Sequence, residues 1–371
     1  MRVLILANSD VGLYKFRKEF LQELLYPGTI INGRKAPPCK VFISVPEGNY
    51  LPVIKKMGCN VIKSSIDRRG TNPIKDLKLI NLYRVILNKV KPDIVLTYTI
   101  KPNIYGGTLC GINGIRYIPN ITGLGTSIEN DDFMSKIILF LYKLALTKSN
   151  SVFFQNEENK SFFQERKIIK TGVVLPGSGV NLDENKYEEY PENSENLNFL
   201  FVGRIMKDKG IREFLDCAVY IKKKYPFTSF DILGEYDEEV YRSIIEKLCK
   251  EGVINYYGQQ EDVHSFIKTH HATILPTYHE GLSNVLLESA AAGRPVIATN
   301  IPGCQEAFDE GVTGIGFEPR NKQDLIRAVE QFISLPYDKK RQMGIAARTK
   351  VLEEFDRKIV IKAYLKAMNI Q

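Results

Sequence analysis

The chain has 371 residues, 44% of them hydrophobic and 25% charged, with a net charge of +8. That length suits one large or two medium domains, and the composition is that of an ordinary globular protein, with no run of eighteen apolar residues to span a bilayer. Six scattered cysteines without a Cys-x-x-Cys pair argue for a reducing cytoplasm over a disulfide framework.

Met-Arg-Val-Leu-Ile-Leu-Ala-Asn at the start is too short in its apolar part for a signal peptide and reads as a buried strand. Strands are predicted over Val3–Ala7, Val41–Val45, Asn60–Lys63, Asp93–Thr97, Arg116–Pro119 and Val152–Gln155. Between them, helices are predicted over Leu13–Tyr26, Leu51–Met57, Pro73–Val90, Asn103–Cys110 and Phe133–Leu146, with a long loop over 27–40. Apolar strands alternating with helices mean a parallel sheet covered on both faces. Residues 1–180 form this first domain. An aperiodic, acidic and Asn-rich stretch, 181–197, reads as a linker. Residues 198–356 repeat the alternation, with strands over Asn198–Gly203, Phe230–Gly234, Val253–Tyr257, Ala272–Pro276, Pro295–Thr299 and Gly314–Phe317. Helices over Asp324–Leu335, Lys339–Glu354 and Lys358–Met368 close the chain. The expected class is α/β, two Rossmann-like doubly wound domains whose strand ends face a shared cleft.

The positive charge is uneven. Residues 1–185 hold 26 Lys and Arg against 15 Asp and Glu, and the remainder holds 25 against 28. A basic first half suits an anionic membrane surface or a phosphorylated substrate. Nucleic acid is disfavoured, because no binding motif for it is present.

The most informative stretch is His279-Glu-Gly-Leu-Ser-Asn-Val-Leu-Leu-Glu-Ser-Ala-Ala-Ala-Gly-Arg-Pro295. Ser283 and Asn284 are placed to cap a helix over Val285–Ala292, which Gly293 stops and Pro295 cannot continue. A helix N-terminus suits a phosphate, and the flanking carboxylates Glu280 and Glu288 suit sugar or ribose hydroxyls. Upstream, Phe199-Leu-Phe-Val-Gly-Arg-Ile-Met-Lys-Asp-Lys-Gly210 ends a strand at Gly203-Arg204 and starts a helix at Lys209-Gly210, placing two cations at the same sheet edge.

Gly-Arg-x4-Lys-Gly, then Glu-x7-Glu, then Pro-Val-Ile-Ala-Thr-Asn-Ile-Pro-Gly-Cys-Gln-Glu306, resembles glycosyltransferase family 4, retaining nucleotide-sugar-dependent enzymes of the GT-B fold. Tyr14-Lys-Phe-Arg17, Lys101-Pro-Asn-Ile-Tyr-Gly106 and Ile121-Thr-Gly-Leu-Gly125 are similar to bacterial members that build capsule, O-antigen or lipid-linked oligosaccharides. Among these are enzymes transferring galactose-type or N-acetylhexosamine residues to undecaprenyl-diphosphate glycans. The resemblance implies that Arg204 and Lys209 neutralise a leaving diphosphate. It further implies that Glu288 holds the ribose, Glu280 the donor sugar, and Gly281, Leu282, Ser283 and Asn284 touch sugar and phosphate through backbone N–H groups. Gly203 and His279 line the donor side. Gly12, Arg17, Lys101, Asn103, Thr122 and Gly123 are candidates for the acceptor side, and a C-terminal helix of about 357–371 is expected to pack back on the first domain.

On this reading a UDP-sugar is the donor, a lipid-linked or oligosaccharide molecule the acceptor, and no metal cofactor is required, since Arg204 and Lys209 supply the countercharge. Retention would follow a front-face route in which the departing phosphate takes the acceptor's proton. Where many members carry a His after the fourth strand, this chain has Ile100, which weakens a His-assisted step. Asp131-Asp132 reads as a helix cap or solvated loop. His264, His270, His271 and His279 lack a metal-ligand spacing.

The apolar helix 133–148, with Lys136, Lys143 and Lys148, is either a core helix with one solvated stripe or an interfacial helix beside a basic surface extended by Arg68-Arg69, Lys75, Lys78, Arg84, Lys89 and Lys91. Two alternatives stay open: a nucleotide-sugar epimerase of the same fold, and a non-catalytic sugar-nucleotide-binding partner in glycan assembly.

Overall fold

The computed structural model describes residues 1–28, 30–31, 34–64, 72–123, 133–192 and 196–370, and the chain divides into two compact units. Unit 1 comprises Met1–Ser178 and Lys358–Gln371; unit 2 is Gly179–Arg357. Arg68, Arg69, Asp131, Asp132 and the 124–125 end of the Ile121–Gly125 motif lie outside the described residues.

Unit 1 runs β1 (Arg2–Leu6), α1 (Asp10–Leu25), β2 (Ile30–Ile31), β3 (Arg34–Lys35), β4 (Lys40–Val45), α2 (Leu51–Lys56), β5 (Asn60–Lys63) and α3 (Pro73–Val90). It continues with β6 (Ile94–Tyr98), a π-helical turn Pro102–Gly106, α4 (Gly107–Ile112), β7 (Arg116–Ile121), α5 (Phe133–Leu146), β8 (Phe153–Phe154), α6 (Glu157–Glu165) and β9 (Val173–Val174). The large sheet is parallel throughout, in the order β5-β4-β1-β6-β7-β8-β9. Its strands are apolar on both sides because helices cover both faces. Leu4, Leu6, Val95 and Tyr117 face α3 and α4, with Ile121 and Phe154 continuing that face under α5. Val3, Ile5, Leu96 and Ile118 face α1 and α2. Where a loop was expected over 27–40, β2 and β3 pair antiparallel.

Unit 2 runs β10 (Leu197–Val202), α7 (Ile211–Lys224), β11 (Thr228–Leu233), α8 (Arg242–Lys250), β12 (Asn255–Tyr256), α9 (His264–Ile267), β13 (Ala272–Leu275) and α10 (Asn284–Ala291). Then come β14 (Val296–Thr299), β15 (Gly314–Phe317), α11 (Lys322–Ser334) and α12 (Tyr337–Glu354), after which α13 (Arg357–Ala367) returns the chain to unit 1. The sheet order, β12-β11-β10-β13-β14-β15, is again all parallel. Phe199 and Phe230 stack at 5.2 Å, with Phe214 of α7 edge-on to Phe230. Each fully buried ring contributes about 2–3 kcal/mol. Both units are thus doubly wound, the second with the nucleotide-binding strand order 3-2-1-4-5-6.

The stretch 181–197, expected as a linker, is built into unit 2. Arg294, 1% exposed, donates to the carbonyls of Glu188, Glu189, Lys268, Ala292 and Gly293, and the Tyr190 hydroxyl donates to the His271 carbonyl. A buried guanidinium needs many acceptors, and this segment supplies two of them as bare carbonyls, which leave no mark in side-chain pattern. Beyond Arg357 the last helix belongs to unit 1, where Tyr364 packs against Phe20 and Phe153.

Candidate functional site

In unit 2 the strand order reverses between β10 and β13, and the loops leaving their C-terminal ends meet there, at the position where open α/β sheets bind ligands. The first loop carries Gly203, Arg204 and Lys209. Gly210 ends its 3-10 turn Lys207–Lys209 with φ +68°, and a Cβ on Gly210 would stand 1.9 Å from the Pro276 carbonyl oxygen. Only glycine permits both the left-handed conformation and this approach. The second loop is stitched to the first through one acceptor: the Asp208 carbonyl takes the Tyr278 N–H at 2.8 Å and the Thr277 hydroxyl at 3.2 Å. As a result the Lys209 ammonium pairs with the Glu280 carboxylate, both side chains being about four-fifths removed from solvent (21% and 17% exposed). Arg204 is half-exposed and donates to Asp237 Oδ2 at 3.0 Å.

Thr299 donates to the Thr277 carbonyl at 2.7 Å, and the Ser283 N–H donates to the Gly303 carbonyl at 2.8 Å, so the end of β14 braces the Glu280 loop. Ser283 occupies the N-cap position of α10, yet its side chain makes no capping hydrogen bond, and the helix begins at Asn284 and ends at Ala291. The expected cap is therefore positional only. First-turn N–H groups have no intrahelical acceptor, so this terminus keeps its capacity for an anion. Glu288 lies half-buried in the second turn, and Gly281, Asn284 and His279 are also half-buried. The Gly203 N–H continues the sheet by donating to the Leu233 carbonyl at 3.0 Å. The Leu282 side chain belongs to the apolar cluster of Leu286, Leu287 and Cys304, which leaves it only backbone groups for a ligand.

His264, His270 and His271 have structural partners. His264 faces Glu188 at 3.0 Å, and His270 faces Asp231 at 3.0 Å. His271 Nδ1 accepts the Asn198 N–H at 3.0 Å. Burial pushes the His271 imidazole down to about 4. Among the described residues, no three His, Cys, Asp or Glu side chains are grouped to hold a metal ion.

In unit 1 the reversal lies between β1 and β6. The loop after β1 leads to Ser9, whose hydroxyl caps α1 by accepting the Gly12 N–H at 3.2 Å, so that amide is already engaged. Arg17 is 6% exposed, sits over the Tyr98 ring at 5.1 Å, and has a buried Nε without a partner. Arg17 and Thr122 line one small cavity together with Asn120, Gln155 and Tyr364; Gly123, beside Thr122, is half-buried. Lys101 pairs with Asp76 at 2.6 Å, and the Tyr105 hydroxyl reaches the other oxygen of that carboxylate at 3.0 Å. Asn103 is fully buried: it accepts the Thr97 hydroxyl at 2.6 Å and donates to the Asn120 carbonyl at 2.9 Å. The expectation of Asn103 as an acceptor-side group is corrected accordingly, because its amide locks β6 to β7.

Several residues escaped the sequence reading. Asp237 lies 33 positions from Arg204, and Asp208 and Thr277 act through a carbonyl and a packing geometry that no motif encodes. Thr99, just past β6, has φ +74° and a buried unpartnered hydroxyl oxygen. A β-branched residue there is strained, and the π-helical turn beginning at Pro102 is a second irregularity of the kind found at functional sites.

Residues 183–350 match the family model described as glycosyl transferases group 1, and residues 34–156 match the one described as glycosyl transferase 4-like. The chain is 25% identical over 99% of its length, and 98% of the relative's, to the N,N'-diacetylbacillosaminyl-diphospho-undecaprenol alpha-1,3-N-acetylgalactosaminyltransferase of Campylobacter jejuni. It is 27% identical to the capsular polysaccharide biosynthesis glycosyltransferase CapM of Staphylococcus aureus, over 79% of this chain and 80% of that one. Among solved structures, HepE of Anabaena in complex with UDP-glucose superposes with a TM-score of 0.76 at 14% identity, covering 100% of both chains.

Proposed function

The chain belongs to the group 1 and 4-like glycosyltransferases of the two-domain GT-B fold, and from that premise we propose that it is a retaining, metal-independent enzyme moving a sugar from a UDP-sugar to a lipid-linked saccharide at an anionic membrane surface, on the cytoplasmic side. The observation that carries the donor assignment is the meeting of Lys209, Glu280 and the uncapped α10 terminus at the switch point of the second sheet. Both cations are held by carboxylates, Lys209 by Glu280 and Arg204 by Asp237, so an incoming diphosphate can compete for them. Once Lys209 turns to phosphate, Glu280 is released to accept hydroxyls of the sugar, while Glu288 in the second turn takes those of the ribose. The UDP-glucose complex of HepE and the undecaprenol-linked acceptor in the Campylobacter relative's name support the choice of substrates.

In the reaction the bond from the sugar C1 to the diphosphate oxygen breaks while the acceptor oxygen bonds C1 on the same face. The acceptor proton passes to the departing phosphate oxygen. Arg204 and Lys209 stabilise the charge developing there, and a preorganised donor of this kind is worth about 10²–10³ in turnover. No side-chain base is required, which accords with Ile100 where other members carry His. Arg204→Ala and Glu280→Ala test the reading in a UDP-sugar consumption assay with a lipid-linked acceptor, where turnover should fall about 100-fold or more. Near-normal turnover in either variant removes the role given to that residue, and loss of turnover in EDTA removes metal independence.

A further inference from the structure

The α5 helix of unit 1 carries an apolar face that the fold leaves uncovered. Ser135, Tyr142, Ala145 and Leu146 turn inward, buried against the sheet and α6. On the opposite side Phe133 is 80% exposed, Ile137 37%, Phe140 61% and Leu144 53%. At 3.6 residues per turn these four positions fall within an arc of about 60°, so the exposure is one continuous stripe. Lys136 and Lys143, both exposed, run along one edge of it, and Lys148 stands just beyond its end. The α4 helix packs beside α5, and at its end Ile112 is 71% exposed. Next in the same layer, α3 shows Leu77, 66% exposed, beside Lys75 and Lys78.

The charges on this layer have one sign. Helices α3, α4 and α5 together hold Lys75, Lys78, Arg84, Lys89, Lys136 and Lys143 against a single acid, Asp76, which is already paired with Lys101. A protein partner that buried this apolar stripe would also have to bury or pair the lysines bordering it. A bilayer with anionic headgroups meets both demands, because rings and branched chains enter the headgroup–acyl boundary while lysine ammonium groups reach the phosphates. No described helix is long and apolar enough to cross a membrane, so α5 would lie in the interface plane.

We propose that the face of unit 1 built by α3, α4 and α5 docks on an anionic lipid bilayer, with the Phe133–Leu144 stripe of α5 inserted at the interface. This rests on the reading that the enzyme works at a membrane surface, and it names the surface that does so. The chain contains no tryptophan, so Phe140→Trp places a single fluorophore in the stripe, and Tyr220→Trp on the exposed side of α7 is the control. The probes are vesicles of phosphatidylcholine alone and of phosphatidylcholine with phosphatidylglycerol, some with brominated chains. The emission of Trp at 140 should shift to the blue and be quenched by brominated lipid with the anionic vesicles only, and recover as salt rises to about 0.5 M. Trp at 220 should stay unchanged. Lys136→Glu with Lys143→Glu should weaken vesicle partitioning about 30-fold or more, with turnover on a water-soluble acceptor analogue preserved.

The proposal is overturned if Trp at 140 is silent with both vesicle types, or equally affected by both. It is overturned also if its emission shifts with protein concentration in the absence of lipid and sedimentation finds a dimer, which would assign the stripe to a second copy. Transfer to the soluble analogue without vesicle docking would sink this face and leave the enzymatic reading standing. Docking without any transfer would support the face and count against that reading.

Discussion

Replacing Gly210 by alanine probes how the fold sets the two loops of the proposed donor site against each other. At φ +68° an L-residue costs about 1–2 kcal/mol relative to glycine. The added Cβ would also lie 1.9 Å from the Pro276 carbonyl oxygen, so the two loops must part by more than about 1 Å to reach ordinary contact. Together these predict a stability loss of about 3 kcal/mol in unit 2. The same displacement pulls the Asp208 carbonyl from Tyr278 and Thr277, and Lys209 from Glu280, and a misplacement of about 1 Å costs about 100-fold in turnover. Gly252→Ala is the internal control: its φ is +69°, but nothing lies within 4 Å of a Cβ there, so it should lose about 1 kcal/mol and keep its activity. Urea unfolding followed by hydrogen exchange in unit 2, with donor-consumption kinetics, measures both effects. If the two variants are alike in stability and in turnover, the close approach of the loops has no consequence and the argument fails.

His271 makes acid stability depend on burial. Its folded value of about 4 lies below the ordinary imidazole value, so as pH falls the unfolded chain takes up the proton first. The stabilisation is complete above about pH 6.5 and is lost progressively toward pH 4, amounting to about 2 kcal/mol between pH 7 and 5. His271→Gln should flatten that slope in urea midpoints, with the His270–Asp231 pair present in both proteins. An unchanged slope would show that His271 does not titrate as described. For Arg294→Met, loss of the five carbonyl contacts should cost about 3 kcal/mol or more and admit protease at Glu188–Glu189. Wild-type resistance at that segment would mean that Arg294 does not hold it.

Alternating apolar runs and helical stripes made both doubly wound sheets legible, because strand burial on two faces and the 3.6-residue helix period are local properties of side-chain order. The two-residue β9 and the β2–β3 pair escaped notice, being too short to show a period. At the site, Arg204 and Lys209 were readable as cations beyond a strand end, and Glu280 and Glu288 as carboxylates flanking a helix start. The partners that hold them were not. Asp237 reaches Arg204 across 33 positions, the Asp208 carbonyl is chemically the same as every other carbonyl, and the Ser283 hydroxyl does not make the cap its position suggests.

Sequence alone determined which groups could neutralise a diphosphate and which helices are amphipathic, since both follow from side-chain chemistry and spacing. Tertiary structure decided three further matters: that Lys209 meets Glu280, that Asn103 is spent inside the sheet, and that the apolar stripe of α5 stays uncovered. Each depends on which backbone groups and faces pack together at long range, where hydrogen bonds and burial are shared between segments that carry no mark of one another.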